Sequence, residues 1–252
     1  MEVTPKRIAI CYWGLTRSTR YIYQTHFKNI FDILTAHNIE FDVFIHTWQT
    51  TAPKIWGRDD NIPINYNEHL LLNPTAYKID NQDDFIKTIV LEDYFYGEEL
   101  TIPIYEDKWI TTPWENPQLL KNHICALESQ KRVTELCIQS CKKYDYVIYI
   151  RPDAHIDSNL PMEWLTSLEQ GKIVLHAGNE YEGYNDRFAI MMWDNCMQYA
   201  GRLNELKIFR KNVGKINSEK YLKYIIDKYF TEKIYINFLF RIVRSDITVW
   251  RE

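Results

Sequence analysis

Two short runs of mostly apolar residues are the feature that most constrains the fold of this chain. They occupy residues 7–12 (RIAICY) and residues 41–46 (FDVFIH). Runs of this kind predict strands that are buried on both faces, as in a sheet covered by helices on both sides. Residues 17–34 lie between them and carry apolar side chains at helical spacing, which predicts an amphipathic helix. A strand, a helix and a second strand in this order predict a right-handed crossover between parallel strands.

The rest of the chain continues the alternation of helices and strands. Residues 144–150 (YDYVIYI) predict a third buried strand. Further elements are predicted as strands at 172–176 and 187–193 and as helices near 83–95, 119–142, 195–206 and 218–229. The stretches 49–81 and 101–117 lack clear periodicity and predict long irregular excursions. These patterns predict one α/β domain over residues 1–252, with a Rossmann-like, mixed but mainly parallel sheet flanked by helices.

Composition and charge exclude several classes of protein. The formal net charge of −4 argues against a protein that binds nucleic acid by neutralising its phosphates. No apolar run approaches the ~18 residues of a membrane span, and residues 1–7 lack the apolar core of a signal peptide. We therefore expect no transmembrane segment and no secretion. The five cysteines are odd in number and lack paired spacing, so we expect reduced thiols in a cytoplasmic protein.

The strongest local signal for chemistry follows the third buried strand. The strand stops at Arg151, Pro152 and Asp153, and His155 comes two residues later. Ligands bind α/β sheets at the carboxyl ends of their strands. Side chains two apart on an extended segment point to the same side, so Asp153 and His155 could share one divalent cation. A polar turn that Asp153 merely caps is the alternative interpretation.

A second signal follows the first strand, in residues 14–20 (GLTRSTR). Gly14 permits a tight turn, Thr16 can cap the helix that follows, and Arg17 lies in its first turn. Backbone N–H groups at such a position face an anion, so this segment is a candidate phosphate cradle. It is neither a GxGxxG fingerprint nor a P-loop. Solvated surface arginines are the alternative.

Weaker candidates are spread over other elements. His46 and Trp48 end the second strand, where His46 could donate to a phosphate and Trp48 could wall a nucleotide or a sugar; core residues are the alternative for both. Asn122 and Ser129 share a stripe of the long helix that a ligand could approach, although helix packing would explain the same stripe. Asp186 precedes a strongly apolar strand and is a candidate catalytic base or ligand of an acceptor hydroxyl, or the cap of a turn.

Several of these segments together resemble a family of small GT-A glycosyltransferases. The resemblance is carried by RIAICYWGLTRS, DVFIHTW, ALESQKR, YDYVIYIRPD, NDRFAI and a late SEKYL helix. It covers most of the chain from Arg7 to Arg244, although each motif is short. Relatives of this kind occur in bacterial surface-polysaccharide loci and in large DNA viruses such as the chlorella viruses.

The resemblance implies a GT-A-like single domain that uses a nucleotide-sugar donor and a divalent cation, Mn²⁺ or Mg²⁺. Asp153 then stands at the metal-binding acidic motif, and Arg17 and Ser129 lie near the nucleotide. The donor-binding set is completed by Gly14, Thr16, His46, Trp48, Asn122, Arg151 and Arg244. About residues 1–150 would form the nucleotide-sugar half, and about residues 151–252 the metal and acceptor half. The strict Asp-x-Asp form is replaced here by Asp-Ala-His, which leaves metal dependence open.

Three functions follow as hypotheses. The leading one is transfer of a sugar from a UDP- or GDP-sugar to a glycan hydroxyl. A sugar nucleotidyltransferase is an alternative of the same fold class, but it would ordinarily carry a Gly-rich loop after the first strand, where only Gly14 is present. The third hypothesis is a non-catalytic nucleotide- or glycan-binding module whose altered acidic motif has lost its metal.

Overall fold

A computed structural model describes residues 6–51, 64–94, 117–178 and 183–244 of the chain. The strands in these residues are β1 Arg7–Trp13, β2 Glu40–Gln49, β3 Ala76–Asn81, β4 Tyr146–Ile150, β5 Ala154–Ile156, β6 Lys172–His176, β7 Phe188–Met192, β8 Glu232–Ile236 and β9 Phe240–Ile242. The α-helices are α1 Thr19–His26, α2 Asp32–Ala36, α3 Gln82–Lys87, α4 Pro117–Gln139, α5 Trp164–Ser167, α6 Cys196–Ala200, α7 Leu206–Asn212 and α8 Ser218–Tyr229.

Seven of the strands form one sheet in the order β3-β2-β1-β4-β7-β6-β8. All neighbouring pairs are parallel except the two that involve β7, which runs antiparallel to both β4 and β6. The remaining strands, β5 and β9, form a small antiparallel pair. This arrangement confirms the predicted α/β class with a mixed, mainly parallel sheet.

Helices cover both faces of the sheet because alternate residues of its central strands are apolar on opposite sides. Ile8 and Ile10 of β1 lie in one core cluster with residues of α2 and of the π-helical turn Phe27–Phe31. Ala9 and Cys11 lie in the opposite cluster, with residues of α4, α6 and α8. Burial on both faces explains why β1, β2 and β4 show no polar alternation in the sequence.

The structure differs from the sequence-based expectations mainly near the sheet edges. The stretch 49–81, expected to be wholly irregular, contains the 3-10 turn Glu68–Leu72 and the edge strand β3. The helix expected near 83–95 is shorter, with α3 followed by a 3-10 turn at Leu91–Asp93. Strands β5, β8 and β9 were not predicted. The irregular stretch expected at 101–117 lies almost entirely outside the described residues.

The five cysteines are free thiols, and Cys141 is the exposed one. Within the described parts of the chain, no helix combines the length and the apolar character that a membrane crossing requires.

Candidate functional site

The candidate site lies where the carboxyl ends of β1 and β4 meet at one edge of the sheet. These strands are parallel neighbours, with Tyr12 opposite Ile150, so the segments that follow them emerge side by side. β7 is antiparallel to β4, with Phe188 opposite Ile150, so the residues that precede β7 reach the same edge. The structure therefore brings together the segments of Arg17, Asp153 and Asp186 that the sequence had singled out separately.

Three hydrogen bonds tie these segments to each other. The Ser18 hydroxyl donates to the carbonyl oxygen of Val243 at 2.8 Å, and the Thr19 hydroxyl donates to that of Pro152 at 3.0 Å. The backbone N–H of Val243 in turn donates to the carbonyl oxygen of Asp153 at 2.9 Å. The turn after β1, the turn after β4 and the segment after β9 are thus fixed relative to one another.

An ion-pair cluster forms the centre of the site. Asp153 is 0% exposed, and its Oδ2 accepts from Arg17 Nε at 3.1 Å and Nη2 at 2.9 Å. Arg151 donates from Nε to Oδ1 at 2.8 Å and from Nη2 to Oδ2 at 2.6 Å. Burial alone would raise the pKa of Asp153, but Arg151, Arg17 and Arg244 hold it well below its ordinary value. Asp153 is therefore a buried anion clamped by guanidinium groups.

The two arginines differ in access to ligand. Arg17 is buried beneath the cluster, whereas the side chain of Arg151 is 25% exposed, with its guanidinium 5.6 Å from the centre of the Trp13 ring. Arg244 is half-buried and also acts electrostatically on Asp153. Of the two arginines that bind Asp153, Arg151 is therefore the one that an anionic ligand could reach directly.

The arrangement does not fit the metal ligation expected from the sequence. Both oxygens of Asp153 already accept from guanidinium groups. His155 lies within β5, and its Nδ1 is 3.1 Å from Asp157 Oδ1. Across the described ranges, no group of three or more His, Cys, Asp or Glu side chains is arranged to hold a metal ion.

A second hydrogen-bonded chain holds the Gly14 turn. Gly14 has φ of +97°, and its N–H donates to Ser129 Oγ at 2.9 Å. Ser129 Oγ is 2.7 Å from His46 Nδ1, and His46 Nε2 is 3.1 Å from Asp80 Oδ2. Burial lowers the pKa of His46 to about 4 despite Asp80, so the ring is neutral at pH 7. A neutral ring with hydrogen on Nε2 donates to Asp80 and accepts from Ser129 through Nδ1.

This chain gives His46 and Ser129 a supporting role in place of the ligand contact expected from the sequence. Both side chains are fully buried, and Thr16 is also buried. Trp48 is a core residue as well, because its Nε1 donates to the carbonyl oxygen of Cys125 at 3.1 Å and its ring stacks on Phe85. Asn122 is half-buried and accepts from Gln118 Nε2 at 3.0 Å.

Asp186 sits in a turn that is anchored on both sides. The Asn185 side chain donates to the carbonyl oxygen of Gly178 at 3.2 Å and accepts from the Arg187 N–H at 3.0 Å. Asp186 is half-buried, and its charge acts on Arg151 and on Glu219. The acid is thus in a turn fixed by its neighbours, and its charge acts on the guanidinium group of Arg151.

Glu219, in the first turn of α8, is a neighbouring acid. Tyr184 N–H donates to the Glu219 carbonyl oxygen at 3.1 Å, and a Cβ placed on Gly183 would lie 2.0 Å from the Glu219 carbonyl carbon. Burial and then the charge of Asp186 raise the pKa of Glu219 to about 7. Glu219 is therefore largely protonated at slightly acidic pH.

The sequence analysis did not single out three further polar side chains on the sheet face that α4 and α6 cover. Trp13 Nε1, both amide atoms of Gln130 and Tyr199 Oη are buried without a hydrogen-bond partner in the described part of the chain. Thr134, one turn after Gln130, has its hydroxyl 2.7 Å from that of Tyr149, whose ring lies 5.1 Å from Tyr199. Unmet polar groups of this kind cost about 1–3 kcal/mol each unless a ligand or water satisfies them. The sequence signal that could have identified Gln130 is a polar residue on the apolar face of α4.

The raised pKa of Glu219 gives a prediction about stability. A carboxyl group with a raised pKa in the folded state favours folding below its ordinary pKa of 4.5, and that contribution is lost as pH rises towards 7. Glu219→Gln should therefore raise the free energy of unfolding by about 1–3 kcal/mol at pH 8 and by much less at pH 4.5. Urea unfolding at the two pH values measures this. The exposed Glu163 is the matched control, and equal effects of both substitutions would contradict the prediction.

Comparison with known proteins adds a distant structural similarity. No protein-family model and no curated protein matches this chain. Among solved structures, that of the apo form of the glycosyltransferase GlyE from Streptococcus pneumoniae TIGR4 is similar, with a TM-score of 0.39 and 10% sequence identity. The alignment covers 91% of this chain and 45% of that structure, so this chain spans less than half of its length. A match at this level does not identify the activity of this chain.

Proposed function

We propose that this protein is a glycosyltransferase that moves a sugar from a UDP- or GDP-linked donor to a hydroxyl group of a glycan. The observation that carries the proposal is the cluster of Arg17, Asp153 and Arg151 at the ligand-binding edge of an α/β sheet, with Asp186 beside it. The reaction requires a partly exposed cation that stabilises the anionic leaving group. It also requires a nearby carboxylate that accepts the proton of the acceptor hydroxyl.

In the proposed reaction, the bond between the anomeric carbon and the diphosphate oxygen breaks, and its electron pair stays on the diphosphate. The acceptor oxygen forms the new bond to the anomeric carbon, and its proton passes to Asp186. Arg151 stabilises the charge that develops on the leaving diphosphate, with Arg17 fixed behind it by Asp153. The sequence-based division of the chain fits this scheme, with the Gly14 turn on the donor side and Asp186 on the acceptor side.

The test is a panel of UDP- and GDP-sugars incubated with the full chain, with and without oligosaccharide acceptors. Release of UDP or GDP that rises with an acceptor supports the proposal. Formation of pyrophosphate from a nucleoside triphosphate and a sugar phosphate would show a nucleotidyltransferase instead. Binding of the donors without any turnover would show a non-catalytic module.

Asp186→Asn should lower turnover by about 10²–10⁴-fold and change donor affinity little, because a general base acts on the acceptor rather than on the diphosphate. Initial rates and isothermal titration with the donor separate the two quantities. Asp194→Asn is the matched control, because this exposed acid follows β7 and therefore lies at the opposite edge of the sheet. Loss of donor binding together with a lower melting temperature would instead make Asp186 a structural residue.

A further inference from the structure

We infer that the guanidinium group of Arg151, held in place by Asp153 and Arg17, stabilises the donor diphosphate in this protein in place of a divalent cation. The inference rests on the proposed function, since it concerns how the same site holds its donor. It departs from the metal dependence that the sequence resemblance implies, and the reason lies in the surroundings of Asp153.

The carboxylate of Asp153 is 0% exposed and already pairs with two guanidinium groups. Its Oδ2 accepts three N–H···O contacts from Arg17 and Arg151, and its Oδ1 accepts one from Arg151, at 2.6–3.1 Å. A metal ion could reach these oxygens only if a guanidinium group moved away, and the displaced charge would remain in a buried site. Breaking a buried ion pair in this way is strongly unfavourable.

The residues of the cluster differ in burial and therefore in role. Arg17 lies beneath Asp153, which orients the guanidinium group of Arg151 through both of its oxygens. Arg151 is the partly exposed cation of this pair, and a planar guanidinium group can donate two parallel hydrogen bonds to a phosphate. Asp153 is therefore a positioning residue for Arg151.

The test measures binding of UDP and GDP to the full chain by isothermal titration, in EDTA and in Mn²⁺. We expect the Kd of the nucleotide that binds to differ less than about threefold between the two conditions, because the charged hydrogen bonds come from arginine. Binding that appears only with Mn²⁺ would overturn the inference while leaving the proposed function in place. Failure of both nucleotides to bind in either condition would overturn the proposed function itself.

A variant provides a second readout on the same instrument. Arg151→Gln should weaken binding of the diphosphate by about 10-fold or more and leave binding of the matching nucleoside, uridine or guanosine, unchanged. Arg241→Gln is the control, since this arginine of β9 pairs with Asp157 instead. Equal losses for nucleoside and nucleotide, or tight binding of Mn²⁺ alone by the wild-type protein in electron paramagnetic resonance, would contradict the assignment.

Discussion

Replacing Asp153 with Asn should lower the free energy of unfolding by about 3–5 kcal/mol, the usual effect of removing one partner from a buried ion pair. The substitution preserves shape but removes the carboxylate charge that pairs with the almost fully buried side chain of Arg17. An effect of this size is a large part of the total stability of a typical domain, which is about 5–15 kcal/mol. Chemical unfolding followed by circular dichroism measures it.

The same substitution should change how stability depends on pH. The pKa of Asp153 is lowered in the folded state, so its contribution is present above the ordinary value of 3.8 and is lost as pH falls below it. The wild type should therefore lose its advantage over Asp153→Asn in acid. Asp157→Asn is the matched control, because this exposed acid pairs with His155 and Arg241 at the surface. A variant as stable as the wild type at pH 7 would rule out the buried ion pair.

Gly183→Ala should be the most damaging of the small substitutions near the site. The added Cβ would lie 2.0 Å from both the carbonyl carbon and the carbonyl oxygen of Glu219, and backbone atoms cannot rotate away as a side chain can. The segment that carries Tyr184 and Asp186 must then separate from the start of α8. We expect a loss of about 1–3 kcal/mol of stability, as for other overpacked positions, and a loss of most of the activity.

Gly201→Ala is a matched control for this prediction. Its Cβ would meet Met197 Cε at 3.6 Å, an ordinary contact, and Gly201 lies in a 3-10 helical turn with negative φ. Thermal unfolding and initial rates of both variants, measured side by side, distinguish a local collision from a general intolerance of alanine. Wild-type activity in Gly183→Ala would show that Gly183 and Glu219 are not in contact.

The sequence predicts the centre of the sheet well and its edges poorly, for a physical reason. Strands β1, β2 and β4 are covered on both faces, and this leaves short apolar runs that are easy to recognise. Strand β3 is an edge strand of half-buried and exposed residues, so its pattern does not stand out from the polar stretch around it. Its pairing with β2 is a tertiary interaction that local periodicity does not encode.

The candidate site shows a similar division. The sequence correctly directs attention to the ends of β1 and β4, because strand ends are visible as breaks in apolar runs. From the sequence, Arg17 is interpreted as a ligand of phosphate and Asp153 as a ligand of a metal ion, with no link between the two residues. The structure shows that these residues, 136 positions apart, bind each other, so neither side chain is available in the form that the sequence suggested. Likewise, nothing local links Gly183 to Glu219.

The bond between the Ser18 hydroxyl and the Val243 carbonyl has a consequence for biosynthesis. Its two residues are 225 positions apart. This hydrogen bond to the turn after β1 can therefore form only after almost the whole described chain has been synthesised. Domains tend to fold from the N-terminus while the ribosome is still adding residues. A nascent chain that ends before residue 243 can pair β1 with β2 and β4, yet it lacks this brace on the arginine cluster. The pairing of β1 with β2 and β4 can therefore form before residue 243 has been synthesised, whereas the bond that braces the arginine cluster cannot.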